Sequence, residues 1–139
     1  MSLVLDGSIA LAWTFLDETT AATRDAFEAV AEGGAWVPAL WRLEVANALL
    51  MGVRRGRIDL AFRAAALADL AVLDISVDGE TDGHAWGATL QLADRFRLTL
   101  YDAAYVELAL RRALPLATLD RAMADAARAL GVTVLGDAG

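Results

Sequence analysis

The sequence predicts an α/β three-layer sandwich, with a short parallel sheet of about five strands and helices on both faces. Three observations carry this reading. Short apolar runs alternate with longer helix-patterned ones along the whole chain. The breaks between them fall at Gly33-Gly34, Gly56 and Gly131, or beside Pro38 and Pro115. No repeat, low-complexity tract or linker interrupts the alternation, and 139 residues suit one domain over 1–139.

Ser2–Leu5 reads as the first strand, ending at the strand-to-helix turn Asp6-Gly7-Ser8. A short helix follows through Ile9, Ala12 and Trp13, then a second over Thr20–Glu32, stopped by Gly33-Gly34. Ala35–Val37 is a strand closed by Pro38, and Leu40–Arg55 is a strong helix broken by Gly56. Leu60–Leu70 is an alanine-rich helix with Asp59 as its cap. Val72–Val77 is the third strand. Thr81 or Asp82 opens a helical stretch reaching about Arg97, and another helix spans Tyr101–Arg112. Pro115 precedes the strand Leu116–Thr118, Arg121–Leu130 is the last helix, and Val132–Leu135 the last strand.

Composition narrows the chemistry. The chain is 58% hydrophobic, which argues for a filled core rather than disorder. Its longest uncharged runs, such as Gly7–Leu16, are about half of the ~20 apolar residues a membrane helix needs. The N-terminus lacks the basic start of a signal peptide, so the reading is of a soluble, cytoplasmic protein without a membrane partner. Without cysteine there are no disulfides, thiolate nucleophiles or cysteine zinc sites, and the lone His84 builds no histidine-rich metal site. A net charge of −7 runs against the basic footprint of a nucleic-acid binder. Carboxylates that hold divalent cations are neutralised by them, however. Arg54, Arg55 and Arg57 form a local basic patch, a candidate RNA contact; with no lysine in the chain, every fixed side-chain cation is a guanidinium.

Four acids stand out. Asp6 follows the first strand and Asp120 a later one; each either caps the following helix or projects into a crevice at the strands' carboxyl ends. Glu44 lies in a helix that reads as apolar on nearly every side, hence buried, where a carboxylate needs an arginine or a metal. Asn47 is three residues on, on the same face, placed to orient it. Asp102 belongs either to a capping box with Thr99 or to a partly buried acidic site. The other acids read as ordinary: Glu107 with Arg111 and Arg121 with Asp125 as exposed pairs, Asp78 as a strand-end or loop charge. The four tryptophans, Trp13, Trp36, Trp41 and Trp86, read as core.

Five segments at these residues resemble the PIN-domain family, and within it the VapC-like toxins of bacterial toxin–antitoxin pairs. They are Val4–Ser8, Val37–Trp41, Glu44–Leu49, Leu98–Tyr105 and Leu116–Asp120, in the family's order and across nearly the whole chain. The resemblance implies a PIN-like (Rossmann-like) sandwich and a metal-dependent endoribonuclease. It implies Asp6, Glu44, Asp102 and Asp120 as the catalytic and metal-binding acids, and Ser8, Asn47 and Thr118 as the polar residues supporting them. Such hard oxygen ligands suit Mg²⁺, with Mn²⁺ able to substitute. It further implies an antitoxin partner, a homodimer and an RNA substrate, transfer RNA among the candidates. One departure is Ala12, where many relatives carry a lysine. The rival reading is a PIN-fold interaction module with a weak or unused site.

Overall fold

The computed structural model describes residues 1–136. Its strands are β1 (Leu3–Leu5), β2 (Ala35–Val37), β3 (Ile75–Val77), β4 (Leu116–Ala117) and β5 (Val134–Leu135). Its helices are α1 (Gly7–Thr14), α2 (Ala21–Gly33), α3 (Trp41–Arg54), α4 (Leu60–Ala71), α5 (Thr81–His84), α6 (Ala88–Phe96), α7 (Leu100–Arg112) and α8 (Arg121–Ala129). The strands form one sheet in the order β3-β2-β1-β4-β5, every pair parallel.

That order reverses at β1. Right-handed crossovers therefore place the helices between β1 and β3 on one face and those between β3 and β5 on the other. The packing agrees: α1 lies against α2 and α3, and α7 against α6 and α8. Leu3, Val4 and Leu5 are all buried, as a central parallel strand covered on both faces requires. Val37, Leu116 and Ala117 continue this core, with Ile9, Leu49, Leu108 and Met123 packed on it from the helices. The strand order opens a crevice between the carboxyl ends of β1 and β4.

Several expectations are corrected. The stretch read as one helix to Arg97 is two, α5 and α6, parted at Ala85-Trp86-Gly87, where Gly87 takes φ −112° and ψ −107°. Trp86 there is 93% exposed, not core. The third strand starts at Ile75 rather than Val72, because α4 runs on to Ala71 and Val72 caps it. Glu107 and Arg111 do pair, yet Glu107 is buried, and the pair belongs to a network around Asp78. Asp78 does stand at the end of β3, but it is no ordinary charge, since its surface is fully covered. Asp125 pairs with Arg128 instead of Arg121. Asp59 does cap its helix, accepting from the Phe62 N–H at 2.7 Å.

Candidate active site

The crevice holds a pocket of about 300 Å³ lined by Asp6, Gly7, Ser8, Leu11, Glu44, Asp102 and Asp120. Four separate pieces of chain deliver its four carboxylates. Asp6 is the residue between β1 and α1. Its backbone takes the N-cap position of α1, but its side chain makes no cap bond. Instead Oδ2 accepts from Ser8 Oγ at 2.7 Å and from Thr118 Oγ1 at 2.8 Å. Ser8 Oγ in turn accepts from the Leu119 N–H, and Thr118 Oγ1 from the Asp120 N–H, both at 3.0 Å. The loop after β4 is thereby stitched to the turn after β1. Asp6 keeps 7% of its surface exposed, and burial raises its pKa more than the two hydroxyl bonds lower it, with Asp120 adding repulsion.

Asp120 fulfils both readings left open for it. Oδ1 accepts the Met123 N–H at 2.8 Å and caps α8, while the residue lines the pocket. Asp102 stands in the first turn of α7, where Thr99 caps the helix by accepting the Asp102 N–H at 3.1 Å. Burial raises the pKa of the Asp102 carboxylate, and the charges of Asp120 and Asp6 raise it further, while a hydrogen bond with Thr99 favours its charged form.

Glu44 arrives differently from the sequence expectation. Helix α3 is not covered on every side: Arg42, Leu43, Glu44, Ala46 and Asn47 are exposed, and only Trp41, Val45, Leu49 and Gly52 are buried. The apolar Leu43 misled the pattern, since it is 75% exposed. No arginine pairs with Glu44. The Tyr105 hydroxyl donates to Oε1 at 2.5 Å. Desolvation raises the Glu44 pKa, against the lowering effect of that bond. Asn47 makes no hydrogen bond to Glu44; the place imagined for its amide belongs to Tyr105. Sequence reasoning gave Tyr105 no role. The available signal was its position three residues after Asp102, on the same helical face.

The basic patch lies elsewhere. Arg54 and Arg55 are exposed at the far end of α3, ten residues or ~15 Å along the axis from Glu44. Arg57 is engaged, bonding Asp17 at 2.8 Å and Glu18 at 2.7 Å while stacking on Phe15. Ala12 is fully buried, and Leu11 is the α1 residue facing the pocket beyond Ser8. The departure at Ala12 therefore removes no cation from the pocket wall, which carries none among the described residues.

The sequence matches the family model "PIN domain" over residues 3–129. The chain belongs to the PIN-domain family. PIN domains are generally nucleases that use divalent metal ions, which supports a nucleic-acid hydrolase here. Solved structures share the fold. The chain is similar to the crystal structure of PAE2754 from Pyrobaculum aerophilum, at 26% identity and a TM-score of 0.68, covering 96% of this chain and 92% of that one. It is also similar in fold to a toxin–antitoxin complex from Klebsiella pneumoniae, at 16% identity and a TM-score of 0.52, covering 85% and 86%. No curated protein sequence matches it.

The donor set of this PIN pocket fits a hard divalent ion. Every charged group lining it is a carboxylate. Among the described residues no three acids stand close enough together to hold an ion directly between them. An open pocket of this kind suits an ion that retains several waters and meets few protein oxygens directly, as Mg²⁺ does.

Proposed function

We propose that this PIN domain is a metal-dependent endoribonuclease, acting as the toxin of a toxin–antitoxin pair. The observation that carries the reading is the convergence of four carboxylates from four chain segments on one pocket without a counter-cation in its wall. Repulsion of that kind is sustained where the occupant is positive.

Asp6, Glu44, Asp102 and Asp120 would hold Mg²⁺ or Mn²⁺, which supplies Lewis acidity toward the phosphodiester and a water of lowered pKa. Ser8 and Thr118 fix Asp6, and the α8 N-terminus fixes Asp120. Both acids on the β1–β4 side are thus preorganised. Asp102, supported at the Thr99 cap, lines the pocket where it can take a ligand or accept a bond from a bound water. Hydrolysis leaves a 5′-phosphate and a 3′-hydroxyl. Arg54 and Arg55 are placed to meet a phosphate some distance along the strand from the scissile one; Arg57 is spent on its ion pairs.

The partners follow the same reading: RNA, with transfer RNA a candidate, a second copy of the chain, and an antitoxin. The fold shared with a toxin–antitoxin complex supports the last of these. Leu60 and Phe62 expose apolar surface at the start of α4, a few residues after Arg54 and Arg55, suited to an amphipathic antitoxin segment. No described helix is long and apolar enough to cross a membrane.

The test is cleavage of a structured RNA by purified protein with Mn²⁺, then with chelator, then with Mn²⁺ restored. Cleavage that stops and returns is expected. Cleavage indifferent to chelator would refute metal dependence. Folded protein that binds Mn²⁺ and leaves RNA intact would favour the interaction-module reading.

A further inference from the structure

We propose that Tyr105 is a positioning residue that makes the acidic pocket discriminate against Ca²⁺, by engaging one of the two carboxylate oxygens of Glu44. The inference rests on reading this pocket as a divalent-cation site.

Glu44 has a single support. It stands on an exposed stretch of α3, away from the sheet, and Tyr105 is its sole hydrogen-bond partner among the described residues. The tyrosine is the opposite: it is completely buried, and its backbone lies in the middle of α7. A rigid ring therefore brings one hydroxyl to one oxygen, Oε1, at 2.5 Å. Burial and the bond to Glu44 push the phenol's ionisation above its ordinary range, so it remains a donor at every working pH. Asp102 precedes it by three residues on the same helical face, so α7 sets two of the four acids, one directly and one through the tyrosine.

The consequence is a count of oxygens. With one lone pair of Oε1 taken by the hydroxyl, Oε2 becomes the stronger donor and binding through both oxygens is disfavoured. Single-oxygen contacts completed by water satisfy Mg²⁺, and Mn²⁺ shares its preference for oxygen donors. Ca²⁺ takes six to eight oxygens and gains from carboxylates that bind through both. A Glu44 without its tyrosine presents both oxygens and also turns more freely, which favours the larger ion and weakens the smaller.

The experiment is calorimetric titration of the whole chain with MnCl₂ and, separately, CaCl₂. The proteins compared are wild type, Tyr105→Phe, Glu44→Gln and the double variant, each checked by circular dichroism. Tyr105→Phe is expected to weaken Mn²⁺ about tenfold, the order typical of groups that orient metal ligands. Ca²⁺ affinity is expected to hold or rise. In the Glu44→Gln background, removing the hydroxyl is expected to change neither ion. Glu44→Asp, whose shorter arm withdraws the acid from the hydroxyl, is a second route to the same fall in the Mn²⁺/Ca²⁺ ratio. An unmoved ratio overturns the proposal, whether both affinities hold or both fall together, the latter being the mark of a merely structural residue. An equal effect of Tyr105→Phe in the Glu44→Gln background overturns it too. Wild type that binds no Mn²⁺ overturns both this inference and the cation-site reading. Mn²⁺ binding that is lost in Asp6→Asn, beside an unmoved ratio in Tyr105→Phe, overturns only the role of Tyr105.

Discussion

Asp6 shows how a single residue trades stability for chemistry. Two hydroxyls and a turn of backbone hold it, yet burial and Asp120 still raise its pKa. Glu44 and Asp102 are raised as well. For each, the folded state binds its proton more tightly than the unfolded chain. Their contribution to stability is therefore fullest below the ordinary carboxylate range near pH 4, falls as pH climbs to the raised native values, and stays low above them. Asp6→Asn is thus expected to melt higher than wild type at pH 7 without metal. The gap should close near pH 3 to 4; thermal melts across pH check both. Saturating Mn²⁺ at ~100 Kd should stabilise wild type by ~2.7 kcal/mol and Asp6→Asn far less. RNA cleavage by that variant should fall about 100-fold or more, equivalent to at least ~2.7 kcal/mol of barrier.

At the scale of elements, caps and acids are the same residues. Asp120 both ends in the pocket and holds the first turn of α8. Its two duties separate by substitution. Asp120→Asn keeps an oxygen for the Met123 N–H, so urea denaturation should find stability nearly unchanged while activity drops. Asp120→Ala should lose activity and also ~1 kcal/mol of stability. Equal stability in both variants would deny the cap. Elements were also where the sequence was most and least legible. Short strands between glycine and proline breaks were readable, as were the Asp59 and Thr99 caps, because those signals are local. The exposed side of α3 was not, because Leu43 and Ala46 carry no mark of the solvent they face. Nor was the break inside Thr81–Phe96, where only Gly83 and Gly87 hinted at a turn.

At the scale of the whole molecule, a second charged cluster braces the fold away from the acidic pocket. Asp78, at the end of β3, is fully covered and accepts from Arg111 at 2.7 Å and Arg112 at 3.1 Å. Arg111 also grips Glu107 at 2.8 Å, and Arg112 stacks over Trp36 of β2 at 3.5 Å. The network ties the β2–β3 edge to the C-terminal half of α7, the helix whose N-terminal half carries Asp102 and Tyr105. Burial alone would raise Asp78, but the two arginines pull it down to about 2. Its stabilising share is present above pH ~4 and lost as pH falls toward 2, opposite in sign to Asp6. Asp78→Ala leaves Arg111 and Arg112 partly buried without the carboxylate they share, and should cost ~3 kcal/mol or more by urea denaturation. A loss under ~1 kcal/mol would show that the cluster is only surface decoration.

This bracing was invisible in sequence, since Asp78 and Arg111 lie 33 residues apart. The bond between Thr118 and Asp6 spans 112 residues. The resemblance at Val4–Ser8 and Leu116–Asp120 pointed to that meeting, but nothing in local periodicity specifies which strands become neighbours. Long-range pairing is set by the packing of whole layers, and it is that pairing which turns four scattered acids into one pocket.

The most direct measurement is sequencing of new 5′-phosphate ends in total cellular RNA incubated with the purified chain and Mn²⁺, beside Asp6→Asn. Discrete 5′-phosphate ends that vanish with Asp6→Asn or with chelator are expected. Ends that persist with Asp6→Asn, or cuts that leave 2′,3′-cyclic phosphates, would contradict hydrolysis at the four-carboxylate pocket.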